Sequence, residues 1–290
     1  MTPETLSLVD THCHLVLLDE RGMLDEALGE AAAAGVEQIV TIGLNVDDSD
    51  RNRELAERYA GVFFTVGWHP HEKAAPDPGQ LRSLDELLTH PRAVAVGEIG
   101  LDWYWRPGYH EVPPEVQRRS LRLMLELAAT HRKPIVVHDR DAHDDVLDEL
   151  RSPTHDTPHP PTSGVESPRG VMHCFSGDAA LARATADLGM VCSFAGTVTY
   201  PRTDGIREAA RTVVDGGYVV ETDAPFLAPV PHRGRPNQPA YVAATAAVVA
   251  QLRGEPAAEV ARSATATARR LFGLPDPGGG DHLGGRRPPA

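Results

Sequence analysis

The chain has 290 residues, 41% of them apolar and 24% charged, an ordinary balance for a globular protein able to bury a sizeable core. Its formal net charge of −13 argues against a protein that coats nucleic acid by charge alone, although carboxylates that hold cations would add to the same negative total. Three scattered cysteines make no disulfide framework. No run of about 18 apolar residues is present, and the first residues lack a basic-then-apolar leader, so the expectation is a cytoplasmic protein with no membrane partner.

Along the chain, short apolar runs alternate with helical stretches. LSLVDTH is a strand and MLDEALGEAAAAG a helix stopped by Gly35. VEQIVTIG is the second strand, and VDDSDRNRELAERYAG a helix opened by capping-type residues. VFFTVGWHP and AVAVGEIGLD follow as strands three and four. The long helix EVQRRSLRLMLELAATHRK carries Val116, Leu123 and Leu127 at helical spacing. PIVVH, GVMHCF, MVCSFAG and GGYVVETDAP complete eight strands, with helices AHDDVLDELR, AALARATADLG and DGIREAARTVV among them. Short Val/Ile-rich strands suit a parallel sheet buried on both faces. Eight βα steps favour a closed (β/α)₈ TIM barrel over an open doubly wound sheet. A single domain over residues 1–274 is expected, with a long Pro/Ser/Thr-rich loop at 151–170 and a disordered Gly/Pro-rich tail at 275–290.

Side chains two apart on a strand share a face, so His12 and His14 project together and Cys13 points the other way. Glu98, His138, His173 and Asp223 each fall at or near the C-terminal end of an apolar strand, the barrel rim where active sites are built. Buried there, such groups are costly unless paired or coordinated. Six on one rim exceed the ligands of one ion, so two divalent ions are expected. Glu98 would bridge them. His12, His14 and Asp223 would complete one set, and His138 and His173 the other. A pair of ions suits in-line displacement at phosphorus.

Around these ligands stand less decided residues. His69 and His71 of GWHPH either contact substrate or shape their loop, and Arg140 either meets a phosphate oxygen or pairs with Asp141 or another carboxylate. Trp103, Tyr104 and Trp105 beside Asp102 are read as packing before stacking on bases. His232, Arg233, Arg235 and Asn237 form a basic cluster, a phosphate contact or a solvated loop. Cys174 should point away from the interior, as Cys13 does.

DTHCHL, GWHPH, GEIGLD, HDRDA, HCFSG, ETDAP and RGRPNQPAYV, in this order and spacing, resemble the TatD family of metal-dependent deoxyribonucleases among the amidohydrolase-like barrels. The resemblance runs from about Leu8 to Phe272. It implies a (β/α)₈ barrel, a metal site on the six residues above, and hydrolysis of DNA phosphodiesters, 3′–5′ exonucleolytic in studied members, with Mg²⁺ before Zn²⁺ or Mn²⁺. Single-stranded DNA ends would be the partner, with no organic cofactor. Asp223 would orient or deprotonate the attacking water beside Glu98, and His71 and Arg140 would help meet developing charge. Two departures stand out: Thr267, where the family often has Asn, and a loop at 151–170 longer than the resemblance leads one to expect. Two rivals remain open: a small-molecule amidohydrolase and a non-catalytic metal- or nucleic-acid-binding protein. The chain's two lysines, Lys73 and Lys133, lie at no strand end, which disfavours a carbamate-bridged amidohydrolase.

Overall fold

The computed structural model describes residues 6–106, 108–152, 169–277 and 283. Eight parallel strands run β1 (Leu8–Cys13), β2 (Val36–Thr41), β3 (Val62–Val66), β4 (Ala93–Asp102), β5 (Ile135–Arg140), β6 (Gly170–Met172), β7 (Met190–Phe194) and β8 (Tyr218–Val220), neighbours in space in the order of the chain. Past β8 the sheet closes on β1: the Asp223 amide donates to the His12 carbonyl at 2.8 Å and the His14 amide to the Ala224 carbonyl at 2.8 Å. The expected (β/α)₈ barrel is therefore the fold, and the open-sheet alternative is set aside.

Among the described residues ten α-helices surround it: α1 (Leu15–Glu20), α2 (Leu24–Ala33), α3 (Val46–Arg58), α4 (Pro78–Leu87), α5 (Pro114–His131), α6 (His143–Arg151), α7 (Ala179–Asp187), α8 (Asp204–Thr212), α9 (Val242–Arg253) and α10 (Ala257–Phe272). The apolar rhythm does not reveal α4, whose start is nevertheless written locally. Asp77 accepts from the Gly79 and Gln80 amides, the Gln80 side chain accepts from the Asp77 amide, and Pro78 occupies the first turn. On α5 the buried stripe is Gln117, Leu121, Met124, Leu125 and Ala128, rotated from the expected Val116, Leu123 and Leu127, which are only half-buried.

Inside the barrel, every strand gives an apolar residue to one layer: Val9, Val40, Phe63, Val94, Val136, Val171, Val191 and Val219. Ala268, Leu271 and Phe272 of α10, with Leu274 beyond it, pack against that layer and form a floor. Side-chain alternation then carries the next inward positions to the opposite end, which is how His138, His173 and Glu221 reach the rim two residues beyond Val136, Val171 and Val219.

Most of the loop expected at 151–170 lies outside the described residues, as does most of the tail expected at 275–290. Within that tail, Leu283 is buried and belongs to the core cluster. Thr267 is buried, and its hydroxyl donates to the Ser263 carbonyl within α10 at 2.9 Å. No helix among the described residues is long and apolar enough to cross a membrane.

Candidate metal centre

Glu98 is the hub of the rim. β4 shifts register against β5 between Val96 and Ile99, and Glu98 lies in that irregular stretch with 2% exposure. One carboxylate oxygen, Oε1, faces His138 Nδ1 at 2.7 Å, His173 Nε2 at 2.9 Å and His69 Nε2 at 3.4 Å. The other, Oε2, faces His12 Nε2 at 3.4 Å. Strands β4 and β5 approach closely because Gly100 carries no side chain: a Cβ there would stand 1.9 Å from the His138 carbonyl oxygen, and its φ is +151°.

His12 and His14 do meet on one side, but not as two positions of a regular strand. β1 ends at Cys13 after a register shift between Asp10 and Cys13, and His14 is already the cap of α1. The turn brings His14 Nε2 to 3.2 Å and His12 Nε2 to 3.6 Å from Asp223 Oδ1. Cys13 points into the apolar layer under the helices, as expected. Asp223 adopts φ +58°, a left-handed conformation that Asp tolerates. Its approach is fixed from below. Asp10 accepts from the Thr222 amide at 2.9 Å and hydroxyl at 2.6 Å, and burial pushes the Asp10 carboxyl up to about 8.

The six expected ligands thus converge around Glu98: His138 and His173 face one of its oxygens and His12 the other, with His14 and Asp223 beside His12. The donor set fits divalent cations. Both ring nitrogens of His12 and Nδ1 of His14 are buried without a hydrogen-bond partner, which is costly unless something else binds them. Sets of ligand atoms within 4.8 Å of one another include His12–His14–Asp223 and His12–Glu98–His173. Burial opposes charge on Glu98, yet the imidazoles of His173, His69, His12 and His138 hold its carboxyl well below the usual range. Burial likewise opposes charge on Asp223, but His14 and His12 pull that carboxyl down. Burial, reinforced by the nearby His173, lowers His12. Burial also lowers His69, to about 4. His173 is driven well above its ordinary value against the cost of burial, because Glu98 and Glu221 flank it. Such a concentration of buried carboxylates attracts protons and cations alike.

Two carboxylates that the pattern reading gave no ligand-orienting role complete the surroundings. Glu221 Oε1 lies 3.3 Å from His173 Nδ1 and accepts from the Cys174 amide at 2.7 Å. Asp102 Oδ2 lies 3.2 Å from His138 Nε2. Each therefore grips the far nitrogen of an imidazole whose other nitrogen faces Glu98, the arrangement that fixes ring orientation and tautomer in metal sites. Glu221 could have been found by counting two from Val219 along β8.

The remaining candidates divide. A cleft of about 690 Å³ opens over Glu98, lined among others by His14, His71, Arg140, His173 and Asp223. Arg140 does not pair with Asp141 and has no carboxylate partner among the described residues. Its guanidinium lies 3.9 Å from the Tyr104 ring centroid and donates to the Tyr109 hydroxyl at 2.7 Å. His71 Nε2 contacts Asp102 Oδ2 at 2.8 Å. Trp103 packs, donating to Asp145, whereas Trp105 is 47% exposed. Cys174, expected to point away, lines the cleft instead, because its backbone turns at φ +43° just past β6.

The cluster at 232–237 stays outside this cleft. Asn237 is fully buried and donates to the Thr222 and Phe226 carbonyls, pinning the loop after Asp223. That corrects its reading as a phosphate contact. His232 stacks on Tyr241 at 3.7 Å and Arg233 on Tyr200 at 4.2 Å, while Arg235 is exposed. Lys133 donates to the Ala93 carbonyl at the start of β4 and Lys73 is exposed in a loop, so neither can bridge metals at the rim.

The profile of the TatD-related DNase family matches residues 9–273. The chain is 37% identical over 271 residues to a Mycobacterium tuberculosis protein named uncharacterized metal-dependent hydrolase TatD, spanning 92% of this chain and 98% of that one. It is 32% identical over 255 residues to the Klebsiella pneumoniae 3′-5′ ssDNA/RNA exonuclease TatD, spanning 86% and 92%. The crystal structure of the Escherichia coli TatD homologue YjjV superimposes with a TM-score of 0.82 at 30% identity, covering 94% of this chain and all of that one. The chain belongs to the TatD family of metal-dependent hydrolases.

Proposed function

We propose that the protein is a divalent-metal-dependent nuclease that removes nucleotides from single-stranded DNA ends, in the 3′–5′ direction. The observation that carries this reading is Glu98, one of whose oxygens faces His138 and His173 while the other faces His12. His12, His14, Glu98 and Asp223 would hold one ion, and Glu98, His138 and His173 the other. Mg²⁺ is the working ion of this reading, and the imidazole-rich donor set also suits Zn²⁺ or Mn²⁺. Bound ions would supply Lewis-acid stabilisation of phosphoryl charge and make a water easier to deprotonate. The name of the Klebsiella pneumoniae relative supports a single-stranded substrate.

This chain's residues then have defined tasks. Asp223 remains ionised at neutral pH, so its carboxylate can accept the proton of the attacking water. Arg140, tethered by Tyr104 and Tyr109 at the cleft wall, presents a permanent positive charge to a non-bridging phosphate oxygen. His71, held by Asp102, lines the same wall and donates to the phosphate. The cleft volume of about 690 Å³ suits a terminal nucleotide.

The test is digestion of 3′- and 5′-labelled single-stranded DNA by the metal-loaded protein, with and without EDTA. Metal-dependent release of mononucleotides from the 3′ end is the expected result. Intact DNA with retained affinity would sink the enzyme reading, and turnover of amides or lactones alone would favour the amidohydrolase.

A further inference from the structure

We propose that His71, Asp102 and His110 form an additional cation subsite, for a divalent transition ion of the Zn²⁺ class, beside the Glu98-centred site. The three residues come from the segment after β3, the end of β4 and the segment after β4. His71 Nε2 lies 2.8 Å from Asp102 Oδ2, and His110 Nε2 lies 3.5 Å from Asp102 Oδ1. The two imidazoles stack at 4.3 Å, with 23° between their planes. One ligand atom from each residue falls within 4.8 Å of the others.

Hydrogen bonding alone leaves something over. His110 is 8% exposed, and its Nε2 is buried with no hydrogen-bond partner, although it faces the carboxylate. Asp102 is fully buried and already receives the Tyr104 amide on Oδ1 at 2.8 Å and the Tyr109 hydroxyl on Oδ2 at 3.2 Å. Two imidazole nitrogens and a carboxylate oxygen make a three-ligand set that leaves one position of a tetrahedral ion open. His71 and Tyr109 line the main cleft, so the open position has access to it. Two nitrogen donors favour a borderline ion over Mg²⁺, which prefers oxygen.

The subsite stands independently of the two-ion reading of the centre. It is linked to that centre, because Asp102 Oδ2 also holds His138 Nε2 at 3.2 Å. An ion drawing on Asp102 would loosen that hold, so occupancy of the subsite would tune how firmly His138 serves Glu98's neighbourhood.

The experiment strips the full-length protein of metal, saturates it with Zn²⁺, removes the excess and counts bound ions by mass spectrometry, for wild type, His110→Gln and His71→Gln. Both variants should hold one ion fewer than wild type, whatever number the central site holds. Zinc anomalous diffraction on wild type should give a peak at about 2.0–2.1 Å from the two Nε2 atoms. Equal counts in wild type and His110→Gln, or no peak between His71 and His110, would overturn the subsite and leave a plain hydrogen-bonded lock. If His110→Gln does not fold, the wild-type anomalous map decides alone. Loss of the central peaks with this peak retained would overturn the two-ion reading instead.

Discussion

The two ends of the barrel are built by the same strands and differ by two residues of register. At one end Val136, Val171 and Val219 join the apolar floor sealed by α10; one side-chain alternation later the same strands present His138, His173 and Glu221 to the cleft. The floor is satisfied by packing alone. The rim gathers buried polar groups, some of them, such as both nitrogens of His12 and Oε2 of Glu221, without a partner. A single sheet thus carries a stabilising layer and a costly layer in direct succession, and the first supports the second.

The largest break of this comparison comes from putting rim chemistry in the floor. Val171→Asp places an unpaired carboxylate in the apolar layer, and we expect a loss of about 4 kcal/mol or more, read as failure to give a native circular dichroism spectrum or cooperative melt. The reverse change is gentler on the fold and harsher on chemistry. Glu98→Gln should keep native circular dichroism in metal-free buffer while nuclease turnover falls by about 10³-fold or more. Unfolding of that variant would mean that the hub is structural.

A smaller effect separates the ligands from the groups that orient them. Glu221→Gln keeps shape but removes the charge beside His173 Nδ1, and should weaken metal affinity about 10- to 100-fold in competition titrations. An unchanged affinity would show that the turn at Cys174 alone positions His173.

The smallest effect lies outside both regions, in the helix layer. Glu149 accepts from Arg122 at 2.8 Å and Arg118 at 3.0 Å, and Arg122 foremost holds its carboxyl below the ordinary 4.5 against the cost of burial. In the unfolded chain Glu149 takes up its proton at a higher pH than in the folded one. Its contribution is therefore complete above about pH 4.5 and is lost as pH falls below that. Glu149→Gln should flatten the acid side of the stability curve, measured by denaturant melts from pH 6 to 3, and leave the neutral side to reflect only the lost charge. A parallel acid slope in both proteins would assign it to other carboxylates.

Much of the rim is legible in the sequence, because polar residues close the apolar runs at Glu98, His138, His173 and Asp223, although β4 does not end at Glu98 as expected but runs on to Asp102. The eight-fold rhythm likewise follows from short Val/Ile runs. What escaped was whatever depends on irregular backbone. His14 leaves β1 before reaching the site, Cys174 turns into the cleft at φ +43°, and Asn237 reaches back to pin carbonyls eleven and fifteen residues earlier. Local patterning carries no trace of such turns. His110 escaped for another reason: nothing near it in sequence announces that the segment after β4 folds back onto Asp102.

The floor has a consequence for how the chain is made. Its apolar pieces come from far apart in the sequence: Val9 lies on β1, whereas Leu271 and Phe272 lie on α10 and Leu274 just beyond it. During synthesis β1 through β8 all emerge before α10 can stopper the bottom of the barrel. Until then the growing protein carries an open greasy mouth, a natural handle for chaperones and a point at which early termination yields aggregates rather than a smaller working enzyme.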